Sequence, residues 1–438
     1  MPMSQEFMQA LFPKLAAINK KFAPPYHIYY EPGIRDTLRT LKNAFSFRQM
    51  DFKEFYAVKA LPKPAIMDII KSEDCGFDCS SIPELRLARY AGARPEDIMF
   101  TSNDTSEEEL IEALRSCGGC ILNLDGIEYI KKVQALGPFP NLISFRLHPG
   151  VSSADGSKDM RSMADPDSKY GVPIELIVEA YRQAYQAGAT RFGLHTMVCS
   201  NNLDYTNLVA TYKLLLDIAK RLLDELGIEL EFVNVGGGLG IPYRPGDTPF
   251  DLEAFATECK ESAVQFFELN GFVPSLFMES GRFVTGPHGV LVNRVINRYR
   301  KYIEFAGLQV AMPALMRVGM YSKAYHHCTV LEQDGFLIGE GSRPIIEVSG
   351  AGPICEGCDL VLKKGMLPDP REGDLFITHD TGAHGSAMGF NYNGRCRPQE
   401  LLLDGLGNVR RICRAETYDD LNARHLGLEG DEHIIHLG

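Results

Sequence analysis

Between residues 55 and 290 the apolar positions follow one recurring rule. A short β-prone run gives way to a loop holding glycine or polar residues, then to a longer segment in which apolar side chains return at helical spacing. The short runs at 55–58, 76–79, 98–101, 121–124, 143–147, 191–195, 231–235 and 276–279 predict strands. The periodic segments at 63–70, 82–90, 107–115, 127–136, 175–187, 208–226 and 252–269 predict helices. Alternating strand and helix implies parallel pairing with right-handed crossovers, and eight units in about 250 residues fit a closed (β/α)8 TIM barrel. An open doubly wound sheet is the alternative.

Met8, Leu11, Leu15 and Ile18 recur at helical spacing and predict an amphipathic helix over 1–22, stopped by Pro24 and Pro25 and followed by a strand at 27–30. After Gly289 the pattern changes. The β-prone runs at 290–296, 344–348, 374–378 and 400–403 are separated by Gly, Pro and Asp, with little helical period. The expected α/β fold is therefore a barrel over 37–289 with a C-terminal mainly β domain, the latter formed by 1–36 and 290–438 and completing the active site.

With 438 residues, 45% hydrophobic and 23% charged, the chain has the composition of a folded globular protein of two domains or of one large barrel with an appended unit. A formal net charge of -12, with no long run of Lys and Arg, argues against nucleic acid and anionic membrane as partners. Eleven cysteines with no signal peptide ahead of them are expected to be reduced thiols in the cytoplasm. The pairs Cys117/Cys120 and Cys355/Cys358 each lack a second pair or a histidine partner at ligand spacing, so no metal is expected.

In a barrel of this kind chemistry belongs to the loops that follow the strands. Lys59 follows the first predicted strand, Asp78 ends the second, Asn103 and Asp104 follow the third, Arg146 closes the fifth and His195 the sixth. Gly236, Gly237 and Gly238 follow the seventh, and Glu279 ends the eighth. A lysine ending an apolar strand is costly to bury unless it is paired or chemically used; the bland alternative is a side chain reaching to the rim. Consecutive glycines between strand and helix leave N–H groups to surround a phosphate, yet Ile241 stands where a dinucleotide fingerprint needs glycine and no Gly-Lys-Ser/Thr follows. A lysine, a glycine cradle and a glutamate on one rim suit pyridoxal phosphate.

Several motifs carry a family resemblance. Tyr56-Ala57-Val58-Lys59-Ala60, Gly76-Phe77-Asp78-Cys79-Ser80-Ser81, Val235-Gly236-Gly237-Gly238-Leu239-Gly240, Glu279-Ser280-Gly281-Arg282, Gly352-Pro353-Ile354-Cys355-Glu356 and Asp380-Thr381-Gly382-Ala383, followed by Asn391-Tyr392-Asn393, resemble the fold-type III pyridoxal phosphate decarboxylases, most closely the diaminopimelate decarboxylases. The match spans nearly the whole chain in order. The resemblance implies an alanine racemase-like barrel in which Lys59 holds the cofactor covalently. Asp78, Arg146, His195, Ser200, Gly236 to Gly238, Ser280, Gly281, Arg282 and His384 would join it in binding ring and phosphate, and Glu279 would pair with the pyridine nitrogen. A racemase of the same barrel family places arginine against that nitrogen, so a carboxylate there favours decarboxylation. Cys355 would handle the proton from the partner subunit of a homodimer.

For the substrate, the resemblance implies that Arg282, Arg317 and Tyr321 would hold a distal carboxylate and Glu356 a distal amine, with His384 touching phosphate or substrate. Guanidinium forks suit carboxylates; the alternative for Arg317 is a surface ion pair. The sequence departs from the family where His195-Thr196-Met197-Val198-Cys199-Ser200 replaces His-x-His-x-Gly-Ser, and where His384 stands in place of tyrosine. Either the Met197 sulfur packs on the ring or the loop has shifted and His195 does so. The expected activity is decarboxylation of meso-2,6-diaminopimelate to L-lysine. The alternatives are another basic amino acid (ornithine, lysine, arginine or carboxynorspermidine) or a non-catalytic cofactor-binding regulator.

Overall fold

The computed structural model describes residues 3–116, 119–150 and 164–425, which leaves Cys117 outside the described residues. The chain divides into two compact units: residues 1–8, 30–289 and 380–387 form the first, and residues 9–29, 290–379 and 388–438 the second.

Among the described residues eight parallel strands of the first unit form a barrel: β1 (Phe52–Ala57), β2 (Gly76–Cys79), β3 (Ile98–Phe100), β4 (Ile121–Leu124), β5 (Leu142–His148), β6 (Arg191–His195), β7 (Phe232–Asn234) and β8 (Ser275–Met278), and a two-residue strand, Val172–Pro173, pairs with the end of β5. The eight pair in chain order, and β8 pairs with both β7 and β1, so the sheet closes on itself. Closure removes every edge that could recruit a foreign strand, and it forces alternate side chains into a narrow interior. The open-sheet alternative is thereby excluded.

The lower interior is apolar. Phe55, Met99, Ile121 and Phe232 form a buried cluster against Leu142 and Phe277. The Phe232 and Phe277 rings stack with centroids 4.3 Å apart. Gly193 makes this possible, since a Cβ there would sit 2.0 Å from the Phe232 ring. One strand contributes a void that the next fills, which is how a closed barrel reaches interior packing density.

The helices follow the apolar stripes closely, for instance Ile82–Tyr90, Thr206–Leu226 and Leu252–Asn270. Three places differ from the sequence reading. The first helix is two, Gln5–Leu11 and Leu15–Lys21, separated by a 3-10 turn at Phe12–Lys14, because Pro13 has no amide hydrogen to continue the ladder. The helix expected over 107–115 is α-helical only for Glu107–Ile111 and continues as a π turn. Glu31–Ala44 is a helix that the periodicity count passed over, with Pro32 in its first turn where proline is tolerated.

The second unit is mainly β. Its strands are β9 (Gly289–Arg300), β10 (Glu304–Leu308), β11 (Cys328–Leu331), β12 (Ile345–Ala351), β13 (Leu360–Pro368), β14 (Leu375–Thr378), β15 (Gln399–Leu403) and β16 (Val409–Cys413). The sheet runs β13-β12-β10-β9, then the strand Tyr26–Tyr30, then β15-β16, with β14 joining β9 to β11. Leu291, Val295, Leu308, Val330, Val348, Val361 and Phe376 form its core. The expected barrel with a C-terminal mainly β unit is what the chain builds. Among the described residues no helix is long and apolar enough to cross a membrane.

Candidate active site

Above the apolar floor the inward positions turn polar. Asp78, Asn123, Ser144, Arg146, His195, Asn234 and Glu279 are all buried on or just after barrel strands. Lys59 follows β1 in a single 3-10 turn, Val58–Ala60. Its side chain is 52% exposed, and its Nζ lies 3.2 Å from Asp78 Oδ2. The Asp78 charge holds the ammonium pKa above its ordinary value. Burial and the nearby Glu279 charge in turn push Asp78 up to about 7 against the pull of Lys59.

Glu279 is the buried anchor of the site. Its Oε2 lies 3.2 Å from His195 Nε2, and its Oε1 accepts from Asn234 Nδ2 at 2.8 Å. Burial alone would raise its pKa, but His195, followed by Lys59 and Arg146, outweighs burial and holds it low. This carboxyl is therefore ionised at neutral pH inside the protein. Arg146 is buried with its guanidinium 4.3 Å over the Tyr170 ring, and burial lowers its pKa from the usual value.

Asn234 was not singled out from the sequence, although a polar side chain at an inward position of an apolar strand just before a glycine run is a readable signal. Its amide does two jobs: Nδ2 holds Glu279, and Oδ1 accepts the Gly236 N–H at 2.8 Å. The glycine turn and the buried carboxylate are thus fixed to one side chain. Gly236 and Gly238 have φ of +70° and +102°, and a Cβ at Gly237 would come within 2.5 Å of the Glu279 carbonyl oxygen. Only glycine serves there.

The loop after β6 packs on this turn. Asn202 N–H donates to Gly238 O and Gly240 N–H returns the bond to Asn202 O. The Met197 sulfur lies 3.1 Å from Gly237 N, while the His195 ring is engaged with Glu279. Ser200, in the same loop, is half-buried. Arg282 donates to the Tyr243 hydroxyl at 2.6 Å, and the His384 N–H donates to Ala60 O, next to Lys59. Ser280 and Gly281 complete the turn between Glu279 and Arg282.

The remaining expected site residues belong to the second unit. Arg317 is 7% exposed, so it is not a surface ion pair. Tyr321 is half-buried, and Cys355 and Glu356 are exposed. The Cys355 N–H donates to Asn393 Oδ1 at 2.9 Å, and its Sγ lies 3.7 Å from the Tyr392 hydroxyl.

The donor set fits pyridoxal phosphate. An amine stands at the mouth, an ionised carboxylate lies below it, and a glycine turn borders both. His195 Nδ1 and Asp78 Oδ1 are buried without a hydrogen-bond partner among the described residues, as polar atoms awaiting a polar ligand would be.

A second carboxyl was missed. Glu54, on the opposite face of β1 from Phe55, is 1% exposed and accepts the Ser280 N–H at 2.5 Å. Burial raises its pKa to about 8, and the charges of Glu279 and Asp78 add to the rise. It is protonated in the folded protein at pH 7 and ionised when unfolded. Stability from Glu54 is thus full below the ordinary glutamate range and falls as pH climbs to about 8. Glu54→Gln keeps an acceptor for Ser280 without the titration. Its melting temperature relative to the parent protein should therefore rise between pH 5 and pH 8; a difference constant over that range would refute the protonated state.

The model of the family described as pyridoxal-dependent decarboxylase, pyridoxal binding domain, matches residues 32–286. The chain is 44% identical over 420 residues to protein TabA of Pseudomonas amygdali pv. tabaci, covering 96% of this chain and 95% of that protein. It is 33% identical over 406 residues to diaminopimelate decarboxylase of Methanothermobacter thermautotrophicus, covering 92% and 91%. The crystal structure of diaminopimelate decarboxylase from M. jannaschii in co-complex with L-lysine superposes with a TM-score of 0.85 at 26% identity, over 94% of each chain. Matched over more than half its length, the chain belongs to the pyridoxal-dependent decarboxylase family, and its activity is that of a carboxy-lyase that uses pyridoxal phosphate.

Proposed function

We propose that the substrate is meso-2,6-diaminopimelate and the product L-lysine. The observation that carries this reading is the burial of Arg317, an arginine held inside the protein and suited to a substrate carboxylate. The diaminopimelate decarboxylases among the relatives support it. A second reading, decarboxylation of a different basic amino acid, draws support from Met197 and His384, where the sequence departs from the diaminopimelate decarboxylase pattern.

Bound pyridoxal phosphate supplies an electron sink for the carbanion left when carbon dioxide departs. In this reading Lys59 Nζ is the covalent attachment point, and Asp78 sets its charge before attachment. Glu279, kept ionised, holds a proton on the pyridine nitrogen. The loops carrying Ser200, Gly236 to Gly238 and Ser280 to Arg282 would hold the phosphate, and Arg146, His195 and His384 would contribute to holding the cofactor. In the same reading Arg282, Arg317 and Tyr321 bind the distal carboxylate, Glu356 binds the distal amine, and His384 contributes to substrate binding. Cys355, reaching in from the second copy of a homodimer, moves the proton that replaces the carboxyl group.

Lys59→Ala should abolish both carbon dioxide release and the borohydride-sensitive absorbance band of the holoenzyme. A borohydride-sensitive band on another lysine would overturn the assignment.

Arg317→Met should lower kcat/KM for meso-diaminopimelate by roughly thirtyfold to a thousandfold, the loss of a charge-assisted bidentate contact. Turnover of lysine or ornithine, which lack that carboxylate, should hold level. A parallel fall for all three substrates would leave Arg317 a purely structural role.

Inactive Lys59→Ala and Cys355→Ala proteins, mixed and allowed to exchange subunits, should regain partial activity, because some mixed dimers carry one site intact on both sides. No recovery despite measured exchange would mean that each site is complete within one chain.

A further inference from the structure

Arg317 opens a one-turn helix, Arg317–Met320, and its Nη1 lies 2.9 Å from Nε2 of His326. The His326 ring is 0% exposed, and its Nδ1 lies 2.8 Å from the backbone oxygen of His379. Chemistry fixes both ends of this chain. A carbonyl oxygen can only accept, so Nδ1 carries the hydrogen; a guanidinium can only donate, so Nε2 offers its lone pair. A neutral ring with its hydrogen on Nδ1 satisfies both contacts. A protonated ring would set N–H against N–H and cation against cation.

The ring is also held from behind. His326 stands two residues before β11, which pairs with β14, and the pairing extends past both strands through the His379 N–H to His327 O at 2.9 Å. His379 Nε2 meets Thr329 Oγ1 at 2.9 Å, and the His327 and His379 rings pack edge to face at 5.0 Å. The carbonyl that orients His326 is therefore part of a sheet end that cannot swing independently. Arginine side chains carry large rotamer freedom, and fixing one corner of the fork before a ligand arrives reduces what binding must order.

We propose that His326 is a positioning residue for substrate selection, its neutral imidazole orienting the Arg317 guanidinium for a carboxylate on the substrate. This rests on the reading of Arg317 given under Proposed function.

Two near-isosteric variants of the full-length holoenzyme separate positioning from packing. His326→Asn puts an amide N–H near the place of Nδ1, so it keeps the His379 contact and withdraws the acceptor from Arg317. His326→Gln extends an amide oxygen toward the place of Nε2, so it keeps the Arg317 contact and gives up the one to His379. Melting temperatures show whether each variant is folded, and carbon dioxide release gives kcat and KM.

With positioning, His326→Asn should raise KM for meso-diaminopimelate by about tenfold with kcat within about threefold, and His326→Gln should stay within about threefold of the parent on both. The reverse order, or equal losses in the two variants, would overturn the proposal. If Arg317→Met shifts the preference for meso-diaminopimelate over lysine while His326→Asn does not, the positioning role alone fails. If Arg317→Met shifts nothing, or the parent does not turn over meso-diaminopimelate, the carboxylate reading fails and takes the positioning role with it.

Discussion

Keeping a carboxylate ionised inside a closed barrel is the constraint around which the first unit is arranged. An unpaired charge in such an interior would neutralise itself by taking up a proton. Glu279 avoids that because His195, Asn234, Lys59 and Arg146 surround it with donors and positive charge. The same charge acts outward on its neighbours. It raises Asp78, and with Asp78 it raises Glu54 on the other face of the barrel wall. Three carboxyl groups within one field thus hold different protonation states, set by what each can touch.

The loops around that field are tied to it by hydrogen bonds. The glycine turn after β7 is tied to Glu279 through one asparagine side chain and to the loop after β6 through a reciprocal pair of backbone bonds. A shift in either loop would disturb the donors that keep the carboxylate charged. The geometry of the glycine turn and the charge of Glu279 are thus held by one set of contacts.

The barrel could be read from sequence because closure demands a short apolar run at each turn of the pattern, and runs such as 76–79, 121–124 and 191–195 coincide with strands residue for residue. Lys59 and Glu279 were legible because a charge at the end of an apolar strand is a local anomaly. Asn234, Glu54 and His326 were not picked out. Glu54 sits in Phe52-Lys53-Glu54-Phe55, which reads as a solvated strand start, and the N–H it accepts comes from a turn 226 residues away. His326 owes its tautomer to residues 9 and 53 positions distant. Several β-runs of the second unit, such as 304–308 and 360–368, escaped notice because Gly307 and the Lys363-Lys364 pair interrupt their apolar alternation.

Neither compact unit is one continuous stretch of chain. Residues 380–387, which carry His384, belong with the barrel although most of the second unit precedes them. During synthesis the barrel strands are all made about a hundred residues before this segment leaves the ribosome. The nascent barrel must therefore persist without its last piece for several seconds at ordinary translation speeds. A gene cut near residue 290 would yield a barrel with that gap made permanent, so excising the cofactor-binding module as a single contiguous fragment deletes part of it.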